Sequence, residues 1–243
     1  MQTYRSIMRA LLTPRSLLQS VPVAGVKSFA PPPSFENVEY PERQKLRIIP
    51  KVPVYPPGLR PFKMQKKLSL LRGPEEYHNT LLHKQYGVIA LGGGRLKFEH
   101  LEMIRFMVLR KVIPVHKEAF AIWRIPDLWQ PITKKSQGVR MGGGKGNIHH
   151  YVTPVKAGQV ILEVGGPIEY FEVKKALQLM AKNLPFAARA VSQDIMNKIE
   201  MEKKMLKEEN LNPWTWKYVI QNNILGCHRW ISKYDRRWFN EYI

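Results

Sequence analysis

Nine of the nineteen prolines fall between residues 31 and 62, at positions 31, 32, 33, 41, 50, 53, 56, 57 and 61. Each proline removes a backbone donor and pushes the residue before it out of the helical region. Such a stretch builds neither a helix nor a central strand, so residues 31–86 are read as a proline-rich extended strap. The folded body is expected after it, over residues 87–192, with residues 193–243 as a separate helical and aromatic-rich extension.

Within 87–192 the patterns alternate between short strands and helices. GVIAL (87–91) suits a strand, Gly92–Gly94 a turn, and RLKF a second extended piece. Leu101, Ile104, Val108 and Val112 recur at spacings of three, four and four, which predicts an amphipathic helix over 99–113, ended by Pro114. AFAIWRI (119–125) reads as a strand, and a long loop follows from Pro126 to about Asn147. IHHYVTPV (148–155) and QVILEV (159–164) read as a pair of strands around a turn at Ala157–Gly158. Pro167 suits the first turn of a second helix, whose stripe is Tyr170, Val173, Leu177, Met180 and Leu184; Pro185 ends it, and FAARAV closes as a strand. The fold class expected is α+β: short, mostly antiparallel and largely hairpin-connected strands with two packed helices, a long glycine-rich basic loop, and N- and C-terminal extensions.

Charge narrows the class of partner. Lys and Arg number 39 against 19 Asp and Glu, a net charge of +20. Residues 87–192 alone hold sixteen basic and seven acidic residues, so the excess is not confined to a tail. No carboxylate occurs between Asp127 and Glu163, where Lys134, Lys135, Arg140, Lys145 and Lys156 stand. A surface serving only solubility mixes both signs; this one points to a polyanion. A long loop in a small domain is uncommon unless it has a task. Here Gly138, Gly142, Gly143, Gly144 and Gly146 allow close backbone approach, while the cations match phosphates.

Catalytic readings fail one after another. A phosphate-binding P-loop with Gly144–Lys145 as its Gly-Lys pair needs glycine where Val139 stands and Ser or Thr where Gly146 stands. His149 and His150 are neighbours, and on a regular strand their rings point to opposite faces, a poor arrangement for one metal ion. Cys227, the single cysteine, sits among aromatics and suits a buried apolar position. No acid–base pair accompanies the loop, so no enzyme, cofactor or metal site is expected, and no apolar run is long enough to span a membrane.

The two ends read differently. Residues 1–30 have spaced arginines, serines and no acid, the composition of a mitochondrial transit peptide. Residues 193–209 carry mixed charges at helical spacing and predict a solvent-facing helix. The last segment contains eight aromatics, including Trp214, Trp216, Trp230 and Trp238, interleaved with Lys and Arg, and is read as a docking element. The competing reading is a satellite cluster folded back on the same chain.

PITKKSQGVRMGGGKG (131–146) resembles the signature of the large-subunit ribosomal protein L-sixteen family, with its TKK followed by RMGxGKG. GVIALGGGRL with EHLEMIRFMVLR, AIWRIPD, YVTPVKAGQVILEVGG and ALQLMAKNLPF extend the resemblance over about residues 87–192. The strap, the aromatic tail and the N-terminal composition look like the mitochondrial form. The resemblance implies a non-enzymatic constituent of the large subunit that binds rRNA and helps position A-site tRNA near the peptidyl transferase centre. It implies the loop role for Lys134, Lys135, Arg140, Gly142, Gly144, Lys145 and Gly146, and rRNA backbone contacts for Arg105, Arg110 and Arg124. Implied partners are rRNA, A-site tRNA and neighbouring mitochondrial ribosomal proteins, met through the strap and tail in the mitochondrial matrix. Gly143 and Ser136 depart from bacterial members, which usually have Lys and often Pro there. The alternative is a free RNA-binding or assembly factor of the mitochondrion.

Overall fold

The run Val160–Gly165 is apolar except for Glu163, and all six of its residues are buried. It therefore behaves as a central strand, covered on both faces. In the computed structural model, which describes residues 34–59 and 67–242, this run organises a four-stranded antiparallel sheet. Numbered along the chain, its strands are β1 (Tyr86–Ala90), β3 (Phe120–Trp123), β6 (Val160–Gly165) and β7 (Ala188–Ser192), in the order β3-β6-β1-β7. A three-stranded antiparallel sheet, β2-β5-β4, combines β2 (Gly94–Lys97), β4 (Gln130–Thr133) and β5 (Ile148–Val155). The fold is α+β, as expected. The proposed transit peptide, Pro31–Pro33 and Pro61 lie outside the described residues.

Two helices pack into the same apolar core. Helix α1 (Phe98–Met107) buries Leu101 and Ile104, then widens into a π-helical turn over Val108–Val112, where the Ile113 amide reaches back five residues to the Val108 carbonyl. The turn keeps Val108 and Val112 on the buried side although the chain has left α-helical geometry. Helix α2 (Tyr170–Lys182) buries Val173, Ala176, Leu177, Met180 and Ala181. Pro167 is not in its first turn: Glu169 is the N-cap, and the Glu172 carboxylate accepts a hydrogen bond from the Glu169 amide at 2.9 Å.

Two connections differ from the sequence expectation. β5 and β6 do not form a hairpin; they belong to different sheets. The turn between them is captured by β1: the Gly158 amide donates to Ala90 O at 2.7 Å, and the Ala90 amide to Gln159 O at 2.9 Å. The long loop from Pro126 is also interrupted, because Gln130–Thr133 pairs with β5 (Pro131↔Tyr151). β4 ends its sheet, where the donor missing from Pro131 is tolerated.

The strap does more than lie alongside. Leu46 and Ile49 are buried in the core cluster. The Ala121 amide donates to Gln44 O (3.0 Å) and Trp123 Nε1 to Arg47 O (3.0 Å). The strap thus covers β3, an edge strand whose exposed ladder would otherwise invite pairing with other chains. Beyond β7, helix α3 (Gln193–Glu209) is capped by Ser192 Oγ, and none of its residues is buried. A short helix α4 (Trp216–Gln221), a 3-10 segment (Ile224–Arg229) and helix α5 (Lys233–Trp238) follow. Ile220 and Cys227 are buried and Trp238 sits on Gly73, so part of the tail folds back; Trp214, Trp216 and Trp230 remain exposed.

Glu163 ties these parts together. Its carboxylate accepts from the amides of Leu82 (3.0 Å) and His83 (3.2 Å), and Arg124 Nε lies 2.8 Å from Oε1. The Nε–H is not aimed along that line, so the contact is ionic rather than a directed hydrogen bond. Removing one partner of a buried pair leaves the other uncompensated and costs about 3–5 kcal/mol. Glu163→Ala is expected to lower the unfolding free energy by roughly that amount in a urea titration. A loss within about 0.5 kcal/mol, the range of ordinary surface substitutions, would contradict the central role of this carboxylate.

Candidate nucleic-acid interface

Residues 134–147 leave the three-stranded sheet as one exposed loop between β4 and β5. Its base is closed by the Lys134 amide donating to Asn147 O at 3.1 Å. Gly146 stands against this closure: a Cβ there would lie 2.7 Å from Lys134 O, closer than the two atoms allow. Further out the demand changes. Gly142, Gly143 and Gly144 have φ of +97°, +65° and +93° with open space around them, so backbone conformation, not crowding, calls for glycine. The Lys135 ammonium donates to Gly142 O and draws the loop into a cup of about 440 Å³. Arg140 and Lys145 line the same cup, and none of its lining residues is acidic. Met141 at the tip is 98% exposed. The structure therefore brings together seven of the sequence-predicted residues: Lys134, Lys135, Arg140, Gly142, Gly144, Lys145 and Gly146.

His149 and His150 differ from expectation. Their Nδ1 atoms lie 2.9 Å apart and their rings meet edge to face. A register shift in the β4–β5 ladder leaves His149 as the extra residue between Ile148 and His150, so strict alternation is lost and the rings converge. Burial, then the neighbouring Lys97 and His149, holds His150 below the ordinary histidine pKa. Among the described residues no group of three or more His, Cys, Asp or Glu is arranged to hold a metal ion.

The three arginines outside the loop part company. Arg105 is gripped by Glu102 in a two-pronged pair at 2.6 and 2.8 Å, which raises its pKa further. Its guanidinium lies 4.6 Å from the centre of the Phe106 ring, and that of exposed Arg110 lies 5.6 Å from it. Phe106 is itself 44% exposed. This two-arginine aromatic platform is not evident from the sequence; its only signal there is a phenylalanine off the apolar stripe, with arginine one residue before and four after. Arg124 faces inward instead, 13% exposed and beside Glu163, so its charge serves the fold rather than a surface contact.

The arrangement suits a large polyanion: exposed cations, glycine amides, and an aromatic face for a base. No titratable pair is poised to move a proton within the loop cup. The family described as ribosomal protein L16p/L10e has a sequence model that matches residues 59–191, 133 of the 243 positions and more than half of the chain. The match begins upstream of residue 87 and takes in the segment whose amides hold Glu163.

The loop geometry makes one position decisive. Gly146→Ala must push the Lys134–Lys135 backbone aside, whereas Gly144→Ala meets open space and only a conformational cost of about 1–2 kcal/mol. Amide hydrogen exchange at Lys134 is expected to quicken at least tenfold in Gly146→Ala and to change much less in Gly144→Ala. Equal protection in both variants would show that the base closure does not depend on Gly146.

Proposed function

We infer the function of this chain from one premise: it belongs to the ribosomal protein L16p/L10e family. It is a structural ribosomal protein of the large subunit that binds rRNA, and it is not an enzyme. We propose the finer reading that it serves the mitochondrial ribosome, with the 134–147 loop reaching toward A-site tRNA near the peptidyl transferase centre. The observation that carries it is the acid-free loop, in which Lys134, Lys135, Arg140 and Lys145 surround a cup shaped by positive-φ glycines. Structured RNA is met through phosphate and shape more than through base edges, and this loop offers cations and close backbone. Arg105 and Arg110, with Phe106 between them, supply a second contact with rRNA. Arg124 supports from within.

The remaining assignments follow the same reading. Residues 1–30 act as a matrix-targeting presequence, 31–86 as the strap, 87–192 as the rRNA-binding core, and 193–243 as the extension. Exposed Trp214, Trp216 and Trp230 are the anchors by which this extension docks on neighbouring ribosomal proteins.

Three experiments test the reading. Arg140→Glu with Lys145→Glu is expected to reduce mitochondrial translation severalfold while the melting temperature of the isolated chain stays within a few degrees. Normal translation in cells that carry only this variant would remove the loop from function. Tagged chain should also co-sediment with the mitochondrial large subunit through a high-salt gradient, and release there would favour the free RNA-binding or assembly factor instead. Separately, residues 1–30 fused to a reporter are expected to deliver it to the matrix and to be clipped there. A reporter left in the cytosol would defeat the targeting assignment.

A further inference from the structure

Helix α2 and strand β7 enclose a second groove that shares no lining residue with the loop cup. Its volume is about 550 Å³. Tyr170, Lys174, Gln178 and Lys182 follow one another at steps of four along α2, a single ridge about 18 Å long at 1.5 Å per residue. Arg189 on β7 faces this ridge, and Ala181, Ala188 and Ala190 form the low wall between them. Three of the nine lining residues are cationic and none is acidic.

The chemistry of the wall identifies its ligand. Lys174 holds its ammonium 5.9 Å from the ring centres of both Tyr170 and Phe171, so its stem is steadied and its charge is presented at the rim. Burial raises the Tyr170 hydroxyl above its ordinary pKa despite the opposing effect of Arg189, so the group stays protonated and can donate. Gln178 adds an uncharged amide. Cations, neutral donors and small side chains permitting close approach suit a run of phosphates better than an apolar partner. β7 also ends its sheet among the described strands, which could admit an added protein strand. A strand of that kind gains specificity from side-chain pockets, and the alanine wall offers none.

We propose that the α2–β7 groove is a second RNA-binding site, engaging the phosphate backbone through Lys174, Lys182 and Arg189 with the Tyr170 hydroxyl as an added donor. The inference rests on the chain being an RNA binder and is independent of what the loop does.

Salt dependence of binding separates the two sites. The full chain is titrated with a short double-stranded RNA at several salt concentrations. The variant carrying Lys174→Gln, Lys182→Gln and Arg189→Gln is compared with the loop variant Arg140→Glu plus Lys145→Glu, both checked by thermal melting. Removing one cation that meets a phosphate lowers the slope of log affinity against log salt by about one. The groove variant is expected to lower it by about two to three, and the effect should add to that of the loop variant. A groove variant with unchanged slope and affinity overturns the groove site, whether the loop variant binds normally or weakly. An unchanged loop variant beside a weakened groove variant supports the groove while removing the loop's role. If the triple variant does not fold, Lys182→Gln alone, at an exposed position, is expected to lower the slope by about one, and an unchanged slope there overturns the proposal equally. If the groove takes a protein strand instead, RNA binding ignores these substitutions.

Discussion

Glu163 is 1% exposed in the middle of the strand around which the larger sheet is built. A carboxylate so placed is tolerated only with its oxygens occupied. Here the occupants come from different parts of the chain: the amides of Leu82 and His83 from the segment before β1, and Arg124 from the end of β3. The residues flanking the sheet are thereby fixed to its central strand. Arg124 next to β3 leads through Pro126 and Asp127 into β4, and β4 carries the glycine-rich loop. Thr153 on β5 reinforces that corner by donating to the carbonyls of Pro126 and Asp127. The position of the loop is thus set from the buried pair outward.

The same corner explains why a proline-rich strap stays in place. Arg47 pairs with Asp127 in a two-pronged contact at 2.6 and 3.1 Å. Exposed pairs contribute little by themselves. The burial of Leu46 and Ile49 on either side of Arg47, with the main-chain contacts to Ala121 and Trp123, supplies the larger part. The prolines contribute by narrowing the unfolded ensemble of a segment that must be extended when folded.

Local patterns make much of this legible. The stripes of both helices, the strands at 87–91 and 148–155, and the cationic glycine loop are all dictated by neighbours in sequence. What escapes depends on distant partners. Nothing near Ala157–Gly158 signals that β1 takes up the turn and separates β5 from β6. Gln130–Thr133 holds a proline and shows no alternation, so its strand exists only because β5 is beside it. The convergence of His149 and His150 follows from a register shift across two strands. Arg124 reads as one more surface cation because the carboxylate that neutralises it lies 39 positions away.

The loop separates two properties that a basic tail would merge. Its shape is set by backbone: Gly146 by lack of room, and Gly142, Gly143 and Gly144 by left-handed φ. Its charge is set by the side chains between them. The two properties compete at Gly143. A lysine there, as in bacterial members of the family, would add a cation inside the cup. With φ at +65° that lysine would carry a backbone cost of about 1–2 kcal/mol. Glycine gives up the charge and relieves that strain, so under the proposed RNA-binding role the loop would rely more on pre-set shape and on the cations of Lys134, Lys135, Arg140 and Lys145.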